Sequence, residues 1–146
     1  MFTKMEELKY RIKEHEGYRD TVYQDHLGNA TIGWGHLVTS DDNFQVGITY
    51  PEELLEKVFE KDFQRAKEGA DSLCKDLPIN YIARGVLIEM CFQLGKPRVM
   101  KFKKMWEALR EKNYLKASEE MIDSNWHKQT TKRCESLAST MRNANK

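Results

Sequence analysis

The chain has 146 residues, 40% of them hydrophobic and 32% charged, with 24 Lys/Arg against 23 Asp/Glu for a net charge of +1; this is the size of one ordinary domain. The apolar share excludes a disordered chain, and no run approaches the roughly 20 apolar residues of a bilayer span, so no stable membrane association is expected. The balanced charge gives no global electrostatic case for nucleic acid. The mean hides an asymmetry: residues 101–146 carry 11 Lys/Arg and 6 Asp/Glu, whereas residues 1–100 carry 13 and 17. The stretch Met1 to Glu7 has no apolar core of a secretory leader, which predicts a protein made and kept in a cytoplasm until something else releases it. Cys74, Cys91 and Cys134 lack the short paired spacing of a zinc site or redox pair and read as reduced, buried thiols.

Met5, Leu8 and Ile12 recur at three- and four-residue intervals and predict a first helix that stops near Gly17. Thr21-Val22-Tyr23 and Ala30-Thr31-Ile32 are short β-favouring runs, and Asp25-His26-Leu27-Gly28-Asn29 between them suits a turn, so a small hairpin is predicted. Gly33-Trp34-Gly35-His36 continues it with two glycines that let backbone come close to something, and Ser40 to Asn43 reads as loop.

Helical patterning then takes over. Thr49-Tyr50-Pro51-Glu52 has the spacing of a capping box, and Leu55, Val58, Phe59, Ala66, Ala70 and Leu73 mark one face of a helix over about 50–73. Ile79 to Leu94 is apolar nearly all round, as in a helix buried on every side, and Gly95 and Pro97 end it. Phe102 to Leu109, Tyr114 to Ile122 and Cys134 to Met141 supply three further amphipathic helices. The predicted class is α+β: one domain over 1–146 with a small N-terminal lobe (about 12–55) bearing the hairpin. The helix of about 50–73 joins it to a helical C-terminal lobe (about 74–146 plus the first helix).

Two lobes on one connecting helix predict a cleft, the usual place for a substrate. Glu16 is expected at the C-terminal end of the first helix, where the helix dipole and partial burial would raise a carboxyl pKa. Asp25 opens the turn in a wetter position and is expected to stay ionised. Two carboxyls pushed to different pKa values are what splitting a glycosidic bond requires: one protonates the leaving oxygen, the other activates water or attacks. Spacing alone leaves a helix-end Glu, a turn Asp and a strand Thr31 as the alternative.

The order and spelling of the residues decide further. Glu16-Gly17, eight residues to Asp25, five more to Thr31, and the string Thr31-Ile32-Gly33-Trp34-Gly35-His36 closely resemble the bacteriophage lysozymes of glycoside hydrolase family 24, the T-even type. Phe92-Gln93-Leu94-Gly95, Trp126, Gln129-Thr130 and Arg133 look like that family's C-terminal segments in the same order. The resemblance implies a lysozyme-like fold and a glycoside hydrolase that cleaves the β-1,4 bond between N-acetylmuramic acid and N-acetylglucosamine in bacterial peptidoglycan, with inversion. It makes Glu16 the general acid, Asp25 the carboxylate that positions or deprotonates water, and Thr31 the hydroxyl that helps hold this water. Inversion calls for carboxyls roughly 6.5–9.5 Å apart, and no metal or cofactor is implied. Arg133 matches an arginine that lies close to the acid, while Gln93, Trp126 and Gln129 would line the cleft or support its wall.

Asp62 falls on the apolar side of the long helix, where a carboxylate is costly unless paired. In the resembling family the histidine ending the Thr-Ile-Gly string pairs with an aspartate on this helix, so His36 and Asp62 are expected to form a structural ion pair between the lobes. His15, His26 and His127 have no ligand spacing and read as surface residues; Trp34 and Phe44 either stack on sugar rings or simply pack. The sequence departs from the T-even enzyme in a shorter segment from Val38 to Thr49 and in His15, where that enzyme has Asp. The reading is an endolysin acting on the host wall as a monomer, held in the host cytoplasm until a holin-type lesion lets it reach the periplasm and wall. A lytic transglycosylase using Glu16 alone and a non-catalytic wall-binding module on the same scaffold are the competing readings.

Overall fold

The computed structural model describes residues 3–145. Helix α1 (Lys4–Glu16) is opened by Thr3, whose extended backbone lets its hydroxyl accept from the Glu6 amide at 3.1 Å, and it is closed by Gly17 at φ 72°, whose amide donates to the Lys13 carbonyl. That N-cap satisfies one of the donors every helix start leaves open. Strands β1 (Arg19–Gln24), β2 (Ala30–Gly33) and β3 (His36–Leu37) form an antiparallel sheet in the order β1-β2-β3, with Tyr23 opposite Thr31 and Ile32 opposite His36. The third strand extends the expected hairpin by two residues; Gly33 and Gly35, both at positive φ, turn the chain back tightly enough for a strand too short to show a period of its own. An irregularity in register lies between Arg19 and Tyr23.

Helix α2 (Glu52–Leu73) follows. Its first carbonyl to accept is that of Pro51, from the Leu54 and Leu55 amides, so the helix starts after Pro51 and the capping box expected at Thr49 falls two residues too early. Proline suits this edge because it has no amide to leave open.

Contacts divide the chain into two compact units, one running to Arg65 and the other from Ala66, with the boundary inside α2. Helix α1 belongs to the first unit, whereas the sequence reading attached it to the helical lobe. Lys9 and Lys13 of α1 pair with Glu60 and Glu56 of α2 at 2.9 and 2.7 Å, contacts that α1 makes within that unit. Among the described residues, the buried apolar ones of this unit are Leu8, Ile12, Ile32, Leu55, Phe59 and Phe63.

The second unit holds α3 (Tyr81–Leu94), α4 (Lys96–Met100), α5 (Lys103–Arg110), α6 (Tyr114–Ile122), α7 (Asn125–Gln129) and α8 (Thr131–Arg142). Asn80 caps α3 through the Ala83 amide at 3.0 Å, and Gly85 to Cys91 are all buried, as the all-round apolar pattern predicts. α6 packs on α5 and α8, and α3 on α4 and α8. The two five-residue helices α4 and α7 were not anticipated; Pro97 starts the first rather than ending α3, and Ser124 caps the second by accepting from the His127 amide. The three thiols are free and buried. Burial pushes the Cys74 thiol up to about 11 and the Cys91 and Cys134 thiols up to about 12. Among the described residues no helix is long and apolar enough to cross a membrane.

Candidate active site

The turn between β1 and β2 is built around Asp25. Its Oδ1 accepts from the Leu27 amide at 2.9 Å and the Asn29 amide at 2.8 Å, and its own amide donates to the Asn29 carbonyl at 2.9 Å. Gly28, at φ 82°, brings the chain back and donates to the Asp25 carbonyl. The Asn29 amide holds the Asp25 carboxyl below the usual carboxylate range, with the Leu27 amide helping and desolvation opposing. Asp25 is thereby kept ionised, as its expected wetter position requires.

Thr31, in the central strand, is 2% exposed, and its hydroxyl donates to the Asn29 carbonyl at 2.9 Å. One peptide residue, Asn29, thus binds both side chains: its amide fixes Asp25 and its carbonyl fixes Thr31. The Thr31 proton is committed, and what the hydroxyl offers beyond it is a lone pair.

Glu16 is the last residue of α1 and half-buried. Gly35, at φ 74°, has no space for a side chain: a Cβ there would stand 2.7 Å from the Glu16 Cδ and 3.2 Å from its Cγ. The close approach that the Gly-Trp-Gly run predicts is therefore made to the Glu16 carboxyl, whereas a Cβ placed on Gly33 would meet the Leu55 side chain at 3.6 Å, an ordinary contact. Tyr23, which sequence reasoning did not single out, sits within the field of both carboxylates. Burial raises its phenol pKa, the Glu16 charge adds to this, Arg19 opposes it and Asp25 adds again. Its alternation within β1 marked it only as a strand tyrosine.

His36 Nδ1 lies 2.8 Å from Asp62 Oδ2, and its Nε2 lies 3.0 Å from Asp42 Oδ2. Both residues of the anticipated pair fall in the first unit, so the contact ties β3 to the early part of α2 and is not one between units. Asp42, read only as loop, also accepts from the Thr39 amide at 2.7 Å. A neutral imidazole has one N–H, whereas here both ring nitrogens face carboxylates, so the doubly protonated ring fits best. The bond to Asp62 raises the His36 pKa against the lowering effect of burial, and the Asp62 and Asp42 charges reinforce it. Burial pushes the Asp42 carboxyl up, but the Thr39 amide and His36 together hold it down. Arg65, reaching Asp62 Oδ1 at 3.0 Å, is largely exposed and adds little.

A pH-dependent contribution to stability follows. Because its folded pKa lies above the ordinary 6.5, His36 stabilises fully below that value and loses its contribution as pH rises through the folded one. The Asp42 share is lost instead as pH falls below the ordinary 3.8 through its depressed value. His36→Asn is expected to cost about 2 kcal/mol near pH ~5.5, with the difference shrinking at alkaline pH; thermal melts of both proteins across pH measure it, and a difference independent of pH counts against a charged His36.

In the second unit Gln93 is held by two bonds: its amide nitrogen donates to Thr130 Oγ1 at 3.1 Å and its oxygen accepts from Trp126 Nε1 at 3.0 Å. Trp126 is 1% exposed. Gln129 Oε1 accepts from Arg98 at 2.6 Å. Arg133 Nε donates to Glu89 Oε2 at 3.2 Å, and the Glu89 side chain is wholly buried. Glu89 went unremarked in the sequence, although a single carboxylate in an apolar helix demands a cationic partner and so carried a signal. A groove of about 590 Å³ in this unit is lined by the cations Arg98, Lys101, Lys103 and Lys104, by the carboxylates Glu120 and Asp123, and by Phe102, Trp126 and Gln129 among others. Phe44 packs edge-on against His36 and Tyr50, and His127 pairs with Glu135 at 3.0 Å. Among the described residues no group of His, Cys, Asp and Glu is placed to hold a metal ion.

The chain as a whole is similar to several known proteins. Probable T4-type lysozyme 1 of Dictyostelium discoideum is 29% identical over 159 aligned residues, covering 92% of each chain. The endolysin of Salmonella phage P22 is 32% identical over 87 residues, 59% of each chain. Peptidoglycan hydrolase gp36 of Pseudomonas phage phiKMV is 28% identical over 131 residues, which are 89% of this chain and 14% of that protein. The family model described as phage lysozyme matches residues 13–145, a span that includes the candidates Glu16, Asp25 and Thr31 together with Gln93, Trp126, Gln129 and Arg133, and the chain belongs to the phage lysozyme family.

Proposed function

We propose that this protein is a peptidoglycan hydrolase of the muramidase kind, cutting the β-1,4 bond between N-acetylmuramic acid and N-acetylglucosamine with inversion. The observation that carries the reading is the Asn29 clamp, which holds an ionised Asp25 in the turn and the Thr31 hydroxyl at the start of β2 through one residue. A water donating one hydrogen to Asp25 and the other to Thr31 would present its own lone pair to the sugar carbon. Glu16 protonates the leaving oxygen, and Asp25 takes the proton that the water sheds as it attacks. Gln93, Trp126, Gln129 and Arg133 support or contact the glycan. Four cations against the two carboxylates Glu120 and Asp123 leave the groove with an excess of positive charge, which suits a substrate that carries carboxylates, because attraction between opposite charges raises the encounter rate.

A transglycosylase leaves Asp25 and Thr31 without a task, since its reaction takes up no water, and a wall-binding module has no need of an aspartate held ionised. Digestion of purified Gram-negative peptidoglycan separates the three. The muramidase gives fragments with reducing ends, heavier by one water than the anhydro products of a transglycosylase, and the first-formed anomer seen by proton NMR is the α form that inversion of a β bond requires. Anhydro-sugar products, or no cleavage at all, would sink the proposal.

A further inference from the structure

Trp34 stands between the two glycines of the β2–β3 turn and is half-buried. Its ring lies 4.5 Å from the Tyr18 ring at an angle of 41°, and 5.9 Å from the Phe59 ring in an edge-on arrangement. Lys13 Nζ sits 4.3 Å from its centroid, and the same ammonium bonds both oxygens of Glu56 at 2.7 Å. Lys13 and Tyr18 bracket Glu16 in the chain, three residues before it and two after. The backbone that carries Glu16 is thus fastened to one indole ring on both sides of the carboxyl. The residue that follows this ring, Gly35, is the one whose Cα faces that carboxyl without room for a methyl group.

These contacts form a closed circuit: Glu16, its two neighbours along the chain, the indole, and the glycine against Glu16. Offset aromatic packing and the cation over the ring face both depend on orientation, so they hold the turn in one register. A proton donor displaced by an ångström loses much of its effect. We propose that Trp34 is a positioning residue for Glu16, setting the Gly33–Gly35 turn against the end of α1 so that the carboxyl is held where it meets the leaving oxygen. The inference rests on the reading of Glu16 as the acid. It assigns Trp34 to the protein interior of the site, and not to stacking on a sugar.

The test compares wild type with Trp34→Leu, Trp34→Phe, Lys13→Met and Glu16→Gln, measuring kcat and KM on solubilised peptidoglycan strands and the titration of the Glu16 carboxyl by carbon-13 NMR. Trp34→Leu is expected to lower kcat roughly tenfold with KM changed less than about twofold, and to move the Glu16 titration. Trp34→Phe, which restores a ring, should return kcat to within about threefold of wild type. Lys13→Met, which keeps the indole, should show a smaller loss and move the titration the same way, and it decides the matter if Trp34→Leu does not fold. An unchanged kcat and titration overturns the assignment, as does a loss carried by KM, which would mark Trp34 as a sugar platform. An inactive Glu16→Gln beside such a result removes only the role of Trp34. An active Glu16→Gln removes the acid reading itself, and with it any catalytic meaning of Trp34.

Discussion

Glu16→Gln is expected to lower wall-clearing activity by at least about a thousandfold while leaving the fold in place, the upper range of what a single general acid supplies. The amide has nearly the shape of the carboxyl, so it fills the same space over Gly35, and the C-terminal end of α1 keeps its Gly17 cap. What it loses is an acidic proton to give to the departing sugar oxygen. Circular dichroism and a thermal midpoint within a few degrees of wild type would show that only chemistry has gone; retained clearing would remove Glu16 from the reaction. Glu16→Asp should also be poor, because shortening by one methylene withdraws the carboxyl from Gly35 while keeping its acidity. Asp25→Asn belongs to the same series: the amide oxygen can still accept from the Leu27 and Asn29 amides, but the charge that those amides stabilise is lost.

Arg133→Met carries the largest expected effect on stability, about 3 kcal/mol against the helical unit, or roughly 10 °C in its melting midpoint. Glu89 is wholly buried in α3, and the Arg133 guanidinium, itself only 10% exposed, is among the groups that hold it. Removing the cation leaves a carboxylate in an apolar surround without that compensation, and the desolvation already incurred is no longer offset. The double variant Glu89→Met with Arg133→Met should recover most of the loss, since an apolar pair of similar volume needs no charge balance. Urea unfolding of wild type, Arg133→Met, Glu89→Met and the double variant yields the coupling directly. A single-variant cost under about 1 kcal/mol would show that other contacts suffice for Glu89.

Elements long enough to display a period were legible in the sequence. α1, α2, α3 and the two strands of the hairpin follow from apolar spacing and from Gly17 and Gly28 as breaks, whereas the Asn80 cap of α3 shows only in the structure. β3, α4 and α7 have two, five and five residues, shorter than one repeat of a reliable pattern, so tertiary contacts decide them. Within the site, the spelling from Thr31 to His36 exposed the residues but not their partners. That Asn29 serves Asp25 and Thr31 together depends on where a turn returns, and that Asp42 joins His36 depends on how a loop of low hydropathy folds back. Glu89 carries a legible signal of another kind, since a lone carboxylate in an apolar helix requires a cationic partner, but which cation supplies it is set by how α8 packs on α3.

The three cysteines, deep in the unit that begins at Ala66, have a practical meaning for following the molecule in solution. A thiol reacts through its anion, and groups pushed up to about 11 or 12 by burial are silent to alkylating reagents while the helices remain closed. Labelling therefore counts openings of that unit alone, with one clock on each of α3 and α8 and one just beyond α2, and it leaves the half of the chain that carries Glu16, Asp25 and Thr31 chemically unmarked.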